Sequence, residues 1–258
     1  MSIRPKKSLG QHFLTDHNIA QKIIAALPDS PSNLVEIGPG TGILTKYILE
    51  LPGKDPIFIE TDQEAVDYLL DSLSIERHKI VHEDILKVNL QSLVNGPYQI
   101  IGNLPYNISS QIFFRMLEDR DRLRSAVVMI QKEVAERIRS APGSKVYGIL
   151  SVLLQTWFRI EYLFTVSEGV FNPPPRVKSA VIRLSRNETT DIGCEPDHYF
   201  RVVKAGFNQR RKTLRNALKA LIMDKDVSDI EDLLSKRAEQ LSVKEFIQIA
   251  HVLERNKN

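Results

Sequence analysis

The chain has 258 residues, 42% hydrophobic and 26% charged, an ordinary globular balance that fits one large domain or a larger domain with a small one attached. It contains no run of about 18 apolar residues, which predicts no membrane-spanning helix, and its opening "MSIRPKKSLGQHF" lacks the apolar core of a signal peptide. A single cysteine, Cys194, excludes an internal disulfide and any cysteine-cluster metal site, and points to a reducing, cytoplasmic setting.

The formal net charge of +3 is only mildly basic, but the cations are clustered. Arg4, Lys6 and Lys7 open the chain with no acid before Asp16, and residues 201–219 hold Arg201, Lys204, Arg210, Arg211, Lys212, Arg215 and Lys219 with no acid among them. One such cluster reads as a solvated helix face. Two, flanking an apparent catalytic domain, point to an RNA or DNA backbone.

In chain order, "NLVEIG" (33–38), "PIFIE" (56–60), "KIVHE" (79–83), "YQIIGN" (98–103) and "SAVVMIQ" (125–131) read as strands, with helical patterns over 43–50, 63–74 and 107–120 between them. The alternation predicts an α/β fold with a mostly parallel sheet covered by helices on both faces, and near-continuous apolar strands agree. Next, "WFRIEYLFTV" (157–166) and "VKSAVIRLS" (177–185) are joined through "FNPPP" with no room for a crossover helix, so they predict an antiparallel close to the sheet. The polar stretch 186–197 reads as a linker, and 198–222 and 229–254 carry helical periodicity. Two domains are expected: a catalytic domain over 1–187 and a small all-helical domain over 188–258.

Chemistry collects where strands meet helices. In "VEIGPGTGILT" (35–45), Gly38, Gly40 and Gly42 let the backbone turn into a helix close to a ligand. The spacing G-x-G-x-G, preceded by Glu36, departs from the G-x-G-x-x-G dinucleotide pattern and fits S-adenosylmethionine enzymes better. Alone, it is equally a structural turn. Glu60 ends the second strand where an acid can bind ribose hydroxyls, and Asp84, after the third, is placed to accept from an adenine amino group.

The fourth strand ends in "NLPY" (103–106). An exocyclic aromatic amine is a poor nucleophile, because its lone pair is delocalised into the ring. Two acceptors aimed at its hydrogens favour the tetrahedral nitrogen that attacks a methyl group. The Asn103 side-chain oxygen and the Leu104 carbonyl, held by Pro105, can be those acceptors, with Tyr106 stacking on the base. The segment thus reads as a holder for a flipped-out adenine. In "VFNPPPRVKSAV" (170–181), three prolines stiffen the chain around Phe171, which reads either as a cover for the other face of the base or as core. The six histidines show no ligand spacing, so no metal is expected.

The motifs "LGQHFL", "VEIGPGTGILT", "IETD", "EDIL", "NLPYNIS", "QKEVAER", "FNPPPRVKSAV", "FNQRRKTLRNAL" and "RAEQLSVKEF" together resemble the KsgA-type ribosomal small-subunit RNA adenine dimethyltransferases, over essentially the whole chain. The resemblance implies a Rossmann-like methyltransferase that dimethylates two adjacent adenosines near the 3′ end of small-subunit rRNA, within a 30S assembly intermediate. S-adenosylmethionine would be the donor and the enzyme a monomer. It implies that His12, Leu14, Gly38, Gly40, Glu60, Asp84 and Asn103 serve the donor, and that Tyr106 and Phe171 sandwich the target base. Lys6, Lys7, Arg210, Arg211, Lys212 and Arg215 would hold rRNA. His12 stands where many members carry Asn, and Glu83 where Gly is common. The alternatives are a large-subunit rRNA methyltransferase of the macrolide-resistance type, a non-catalytic assembly or transcription factor on the same fold, and a DNA adenine methyltransferase. Intact donor residues argue against the second, and the third lacks a base-reading motif.

Overall fold

The computed structural model describes residues 3–29 and 33–255. In chain order the first unit contains β1 (Phe13–Leu14), α1 (His17–Ala25), β2 (Asn33–Ile37), α2 (Ile43–Ile48), β3 (Asp55–Glu60), α3 (Gln63–Leu73), β4 (Ile80–His82), α4 (Leu90–Leu93), β5 (Tyr98–Asn103), α5 (Ser109–Glu118) and β6 (Leu123–Gln131). After α6 (Lys132–Arg139) and α7 (Ile149–Trp157) come β7 (Phe158–Val166), β8 (Phe171–Asn172) and β9 (Ser179–Arg186). The helices α8 (Pro196–Asn208), α9 (Leu214–Ala217), α10 (Lys219–Ile222), α11 (Glu231–Leu234) and α12 (Val243–Arg255) complete the chain.

Seven strands form one sheet in the order β4-β3-β2-β5-β6-β9-β7. The run from β4 to β6 is parallel, and β9 returns antiparallel to β6 with Gln131 opposite Ser179. Parallel strands covered on both faces must be apolar throughout, and β6 is buried without interruption from Ser125 to Ile130. The mostly parallel sheet with its antiparallel return, and the helical part beyond it, are as the sequence reading expects. The separate pairing of β1 with β8, only two residues each, escapes that reading because a dipeptide carries no period.

The chain divides into two compact units: Met1–Ala135 with Arg159–Arg186, and Glu136–Phe158 with Asn187–Asn258. Residues 136–158, assigned to the catalytic domain by the sequence reading, thus fall in the second unit. There α7 is buried on all sides, and the Thr156 hydroxyl hydrogen-bonds the Tyr199 hydroxyl at 2.9 Å while Trp157 meets Tyr199 edge-on. Phe207 of α8 stacks on Phe246 of α12 with ring centroids 5.7 Å apart.

Neither C-terminal stretch is one continuous helix. The first breaks at 209–213, between α8 and α9. The break lets Leu214, fully buried, fold back onto Gly206, where even a Cβ would come within 2.9 Å of the leucine. The second breaks before Ser242, whose Oγ accepts from the Glu245 N–H while the Glu245 carboxylate accepts from the Ser242 N–H at 2.7 Å. That reciprocal cap starts α12. No helix among the described residues is long and apolar enough to cross a membrane.

Candidate active site

The carboxyl ends of β2, β3 and β5 converge, as they must in a parallel sheet, and the glycine loop leaves β2 between the other two. Gly102 explains how β5 comes so close: a Cβ there would lie 2.5 Å from the Ile37 carbonyl oxygen. Gly40, in the left-handed region at φ 55°, faces the Phe13 ring, which a Cβ would meet at 2.8 Å. The glycine loop is therefore packed against the N-terminal segment.

Glu60, 4% exposed, accepts the Gly40 N–H at 3.0 Å and the Thr61 and Asp62 N–H groups at 2.9 Å each. Burial nevertheless raises its pKa. Glu36, 1% exposed, accepts from the Thr45 hydroxyl at 2.7 Å and is pushed up to about 8, by burial first and by neighbouring Glu60 in addition.

The N-terminal segment is fastened to the turn after β3. Lys6 Nζ lies 2.5 Å from Asp62 and 3.1 Å from Glu64, and Gln11 Nε2 donates to Asp62 at 2.9 Å. Burial pushes the Asp62 carboxyl up, but the bonds from Lys6 and Gln11 outweigh it and hold the pKa below the usual range. Asp62 also accepts the Glu64 N–H and so caps α3. Lys6 is thus engaged within the chain, whereas Lys7 is exposed.

At the end of β5, Leu104 N–H is held by the Met129 carbonyl at 3.0 Å. Asn103 Nδ2 donates to the His12 carbonyl at 2.8 Å, and its Oδ1 is buried with no hydrogen-bond partner. The Tyr106 hydroxyl hydrogen-bonds the fully buried Ser179 hydroxyl, and its ring stacks against His12 at 5.3 Å and 28°. His12 Nδ1 is 2.8 Å from the Pro173 carbonyl.

Two adjoining cavities result. The smaller, about 60 Å³, is lined by His12, Gly38, Gly40, Glu60, Asn103, Leu104, Pro105 and Tyr106 among others, which brings together eight residues singled out from the sequence. The larger, about 680 Å³, shares Gly10, Gln11, His12 and Tyr106 with it and extends along Pro173–Val177. Of the residues expected to serve the donor or the target base, three line neither cavity. Leu14 is buried and pairs with Phe171. Asp84 Oδ1 accepts the Leu86 N–H at 3.0 Å. Phe171 is 4% exposed and packs in the core of the first unit, with β8 paired to β1 through Leu14.

Asp62, Gln11 and Ser179 were not singled out from the sequence. Their contacts are 51 to 73 residues away in the chain, and only the motifs "LGQHFL", "IETD" and "FNPPPRVKSAV" mark the neighbourhood. In the second unit, Arg210 donates to Glu239 at 3.2 Å and to the Lys145 carbonyl, and Arg215 pairs with Glu231. Arg211 and Lys212 are exposed with no ion pair among the described residues.

Glycine loop, buried acids and an Asn-Leu-Pro-Tyr turn at the carboxyl edge of a mostly parallel sheet define a Rossmann-like methyltransferase. The sequence matches the family profile "Ribosomal RNA adenine dimethylase" over residues 3–255. It is 53% identical to the ribosomal RNA small subunit methyltransferase A of Bacteroides thetaiotaomicron, covering 98% of this chain and 95% of that one. It is 51% identical to the protein of the same name from Flavobacterium johnsoniae, covering 98% and 97%. The fold superposes on a dimethyladenosine transferase from Plasmodium falciparum with a TM-score of 0.78, at 26% identity and covering 95% of this chain and 98% of that one. It also superposes on the 23S rRNA methyltransferase ErmE with a TM-score of 0.66, at 22% identity and covering 95% and 100%. The chain belongs to the ribosomal RNA adenine dimethylase family.

Proposed function

We propose that the protein transfers methyl groups from S-adenosylmethionine to the exocyclic N6 of two adjacent adenosines in the 3′-terminal hairpin of small-subunit rRNA, yielding N6-dimethyladenosines. The observation that carries this reading is the buried, unpartnered Oδ1 of Asn103 at the floor of the cavity. A buried acceptor without a donor is costly, and an amino group in the cavity would satisfy it. Since a carbonyl can only accept, the His12 carbonyl takes the Asn103 NH2 and so leaves the oxygen facing the substrate.

The residues present fit the donor. A glycine loop offers main chain where Gly38 and Gly40 approach, and Glu60 stands buried beside it. Gly38 and Gly40 would run under the methionine part, with His12 and Leu14 alongside, Glu60 toward the ribose, Asp84 toward the adenine, and Asn103 between donor and target. When bound, the donor supplies an electrophilic methyl on a sulfonium. The chain's own work is to present the amine. Asn103 Oδ1 and the Leu104 carbonyl accept its two hydrogens, which localises the nitrogen lone pair. Tyr106, fixed by Ser179, fixes the plane of the base.

The relatives named as small-subunit methyltransferases, at about half identity over nearly the full length, support the small-subunit substrate over the large-subunit one. The substrate is taken as a 30S assembly intermediate in the cytoplasm, met by a monomer, with Lys7, Arg211 and Lys212 on its phosphates. The test mixes the purified protein with labelled S-adenosylmethionine and under-methylated small ribosomal subunits, with large-subunit rRNA in parallel, and maps the modified nucleoside. Dimethyladenosine at paired adenines near the small-subunit 3′ end supports the reading. Label in large-subunit rRNA, or in neither, overturns it.

A further inference from the structure

We propose that the larger cavity is a subsite for the nucleotide adjoining the target adenosine, so that the enzyme reads a dinucleotide rather than a lone flipped base. The inference rests on the adenine-slot reading above and extends it.

The cavity, about 680 Å³, continues directly from the slot, with Tyr106 and His12 on both linings. A chain entering with its target base against Tyr106 has its neighbouring nucleotide there. The lining suits that neighbour in three ways. Lys7 and Arg176 stand at it, both exposed, and no acid is among its residues, so it favours a phosphodiester. Gln131, at the end of β6, presents an amide that makes no hydrogen bond of its own among the described residues and can serve a base edge as donor and acceptor. Val177 is 45% exposed, one of the few large apolar side chains left in water, and lies beside three prolines on the same wall, a surface for a base face.

The walls are braced, as a reading site requires. Gln131 lies opposite Ser179 in the β6–β9 ladder, Ser179 holds the Tyr106 hydroxyl, and the Pro173 carbonyl holds His12. The frame that positions the target base thus also positions Gln131, leaving only the flanking nucleotide to be ordered on binding.

The test titrates the intact protein, saturated with S-adenosylhomocysteine, with adenosine 5′-monophosphate and separately with the dinucleotide ApA. The comparison is repeated in Gln131→Ala and Arg176→Ala, with S-adenosylhomocysteine affinity as the check that each variant is folded. The expected result is about tenfold tighter binding of ApA, equivalent to about 1.4 kcal/mol, with the gain reduced in each variant and monophosphate affinity retained. Equal affinity for the two probes in the unsubstituted protein, with monophosphate binding still lost in Tyr106→Ala, overturns the subsite and leaves the adenine slot standing. Failure of both probes to bind overturns the adenine slot and the subsite together.

Discussion

The side-chain NH2 of Asn103 donates to the main-chain carbonyl of His12 at 2.8 Å, and this bond decides which end of the amide faces the cavity. Asn103→Asp keeps the shape but sets a carboxylate oxygen against that carbonyl, so the side chain is repelled from its position. Asn103→Ala removes the acceptor outright. Both variants are expected to lose roughly 10²–10³ in the rate of methyl transfer, the usual cost of one preorganised polar group. Affinity for under-methylated small subunits should change little, because the contact acts on the reacting amine more than on the RNA surface. Single-turnover transfer and filter binding on the same preparations separate the two, and an undiminished rate in Asn103→Ala rules out the acceptor role.

Asp62 joins the N-terminal segment to the donor edge. Its carboxylate holds Lys6 and Gln11 and caps α3, while its N–H supports Glu60. Asp62→Ala should release residues 6–12 from the wall of the smaller cavity and weaken S-adenosylhomocysteine binding several-fold, whereas Glu64→Ala, at the outer rim of the same ion pair, should change it little. Calorimetric titration of both variants checks this. Equal affinities would show that the segment holds without its fastening.

What the sequence disclosed follows the same division. The five parallel strands were legible because each buried strand is a short apolar run bounded by a turn, and eight of the proposed site residues line one cavity because strand ends in a parallel sheet converge. Contacts across the chain were not legible. Phe171 is buried beside a two-residue pairing with Leu14 that carries no period to read. The engagement of Lys6 depends on an acid 56 residues away. The helix α7 is buried on nearly all sides, its polar Ser151 and Gln155 included because they bond the carbonyls of Arg137, Ile138 and Ser140, so it shows no solvent-facing stripe to read. The break after Asn208 reflects packing of Leu214 on Gly206, which outweighs the helical periodicity of the stretch.

Glu36 gives the fold a pH dependence of definite sign. In the unfolded chain its carboxyl titrates near 4.5, and in the fold near 8, because burial and then the nearby Glu60 disfavour its charge. Between those values the folded state binds more protons than the unfolded one. Stability therefore falls as pH rises across that window and levels off above about 8. Glu36→Gln keeps the Thr45 hydroxyl bonded and removes the ionisation cost, on the order of a few kcal/mol at pH 8. Thermal midpoints measured from pH 5 to 9 should show the variant gaining on the unsubstituted protein as pH rises. A parallel pair of curves would mean that Glu36 does not carry the dependence.

The basic run of the second unit divides by its partners. Arg210 is held by Glu239 and the Lys145 carbonyl, and Arg215 by Glu231, so much of their charge is answered within the chain. Arg211 and Lys212 are exposed without an ion pair among the described residues. Each phosphate contact contributes roughly 0.7–0.9 to the slope of log affinity against log salt. The double variant Arg211→Ala/Lys212→Ala should therefore flatten that slope for small-subunit binding by between about 1 and 2, while Arg210→Ala should change it by less than one contact. Affinities measured across a salt series for the three proteins decide the matter. If Arg210→Ala flattens the slope as much as the pair, Glu239 does not hold that arginine in the complex, and the arginine turns to the RNA. If neither variant changes it, the run is a solvated face, and the phosphate contacts lie elsewhere.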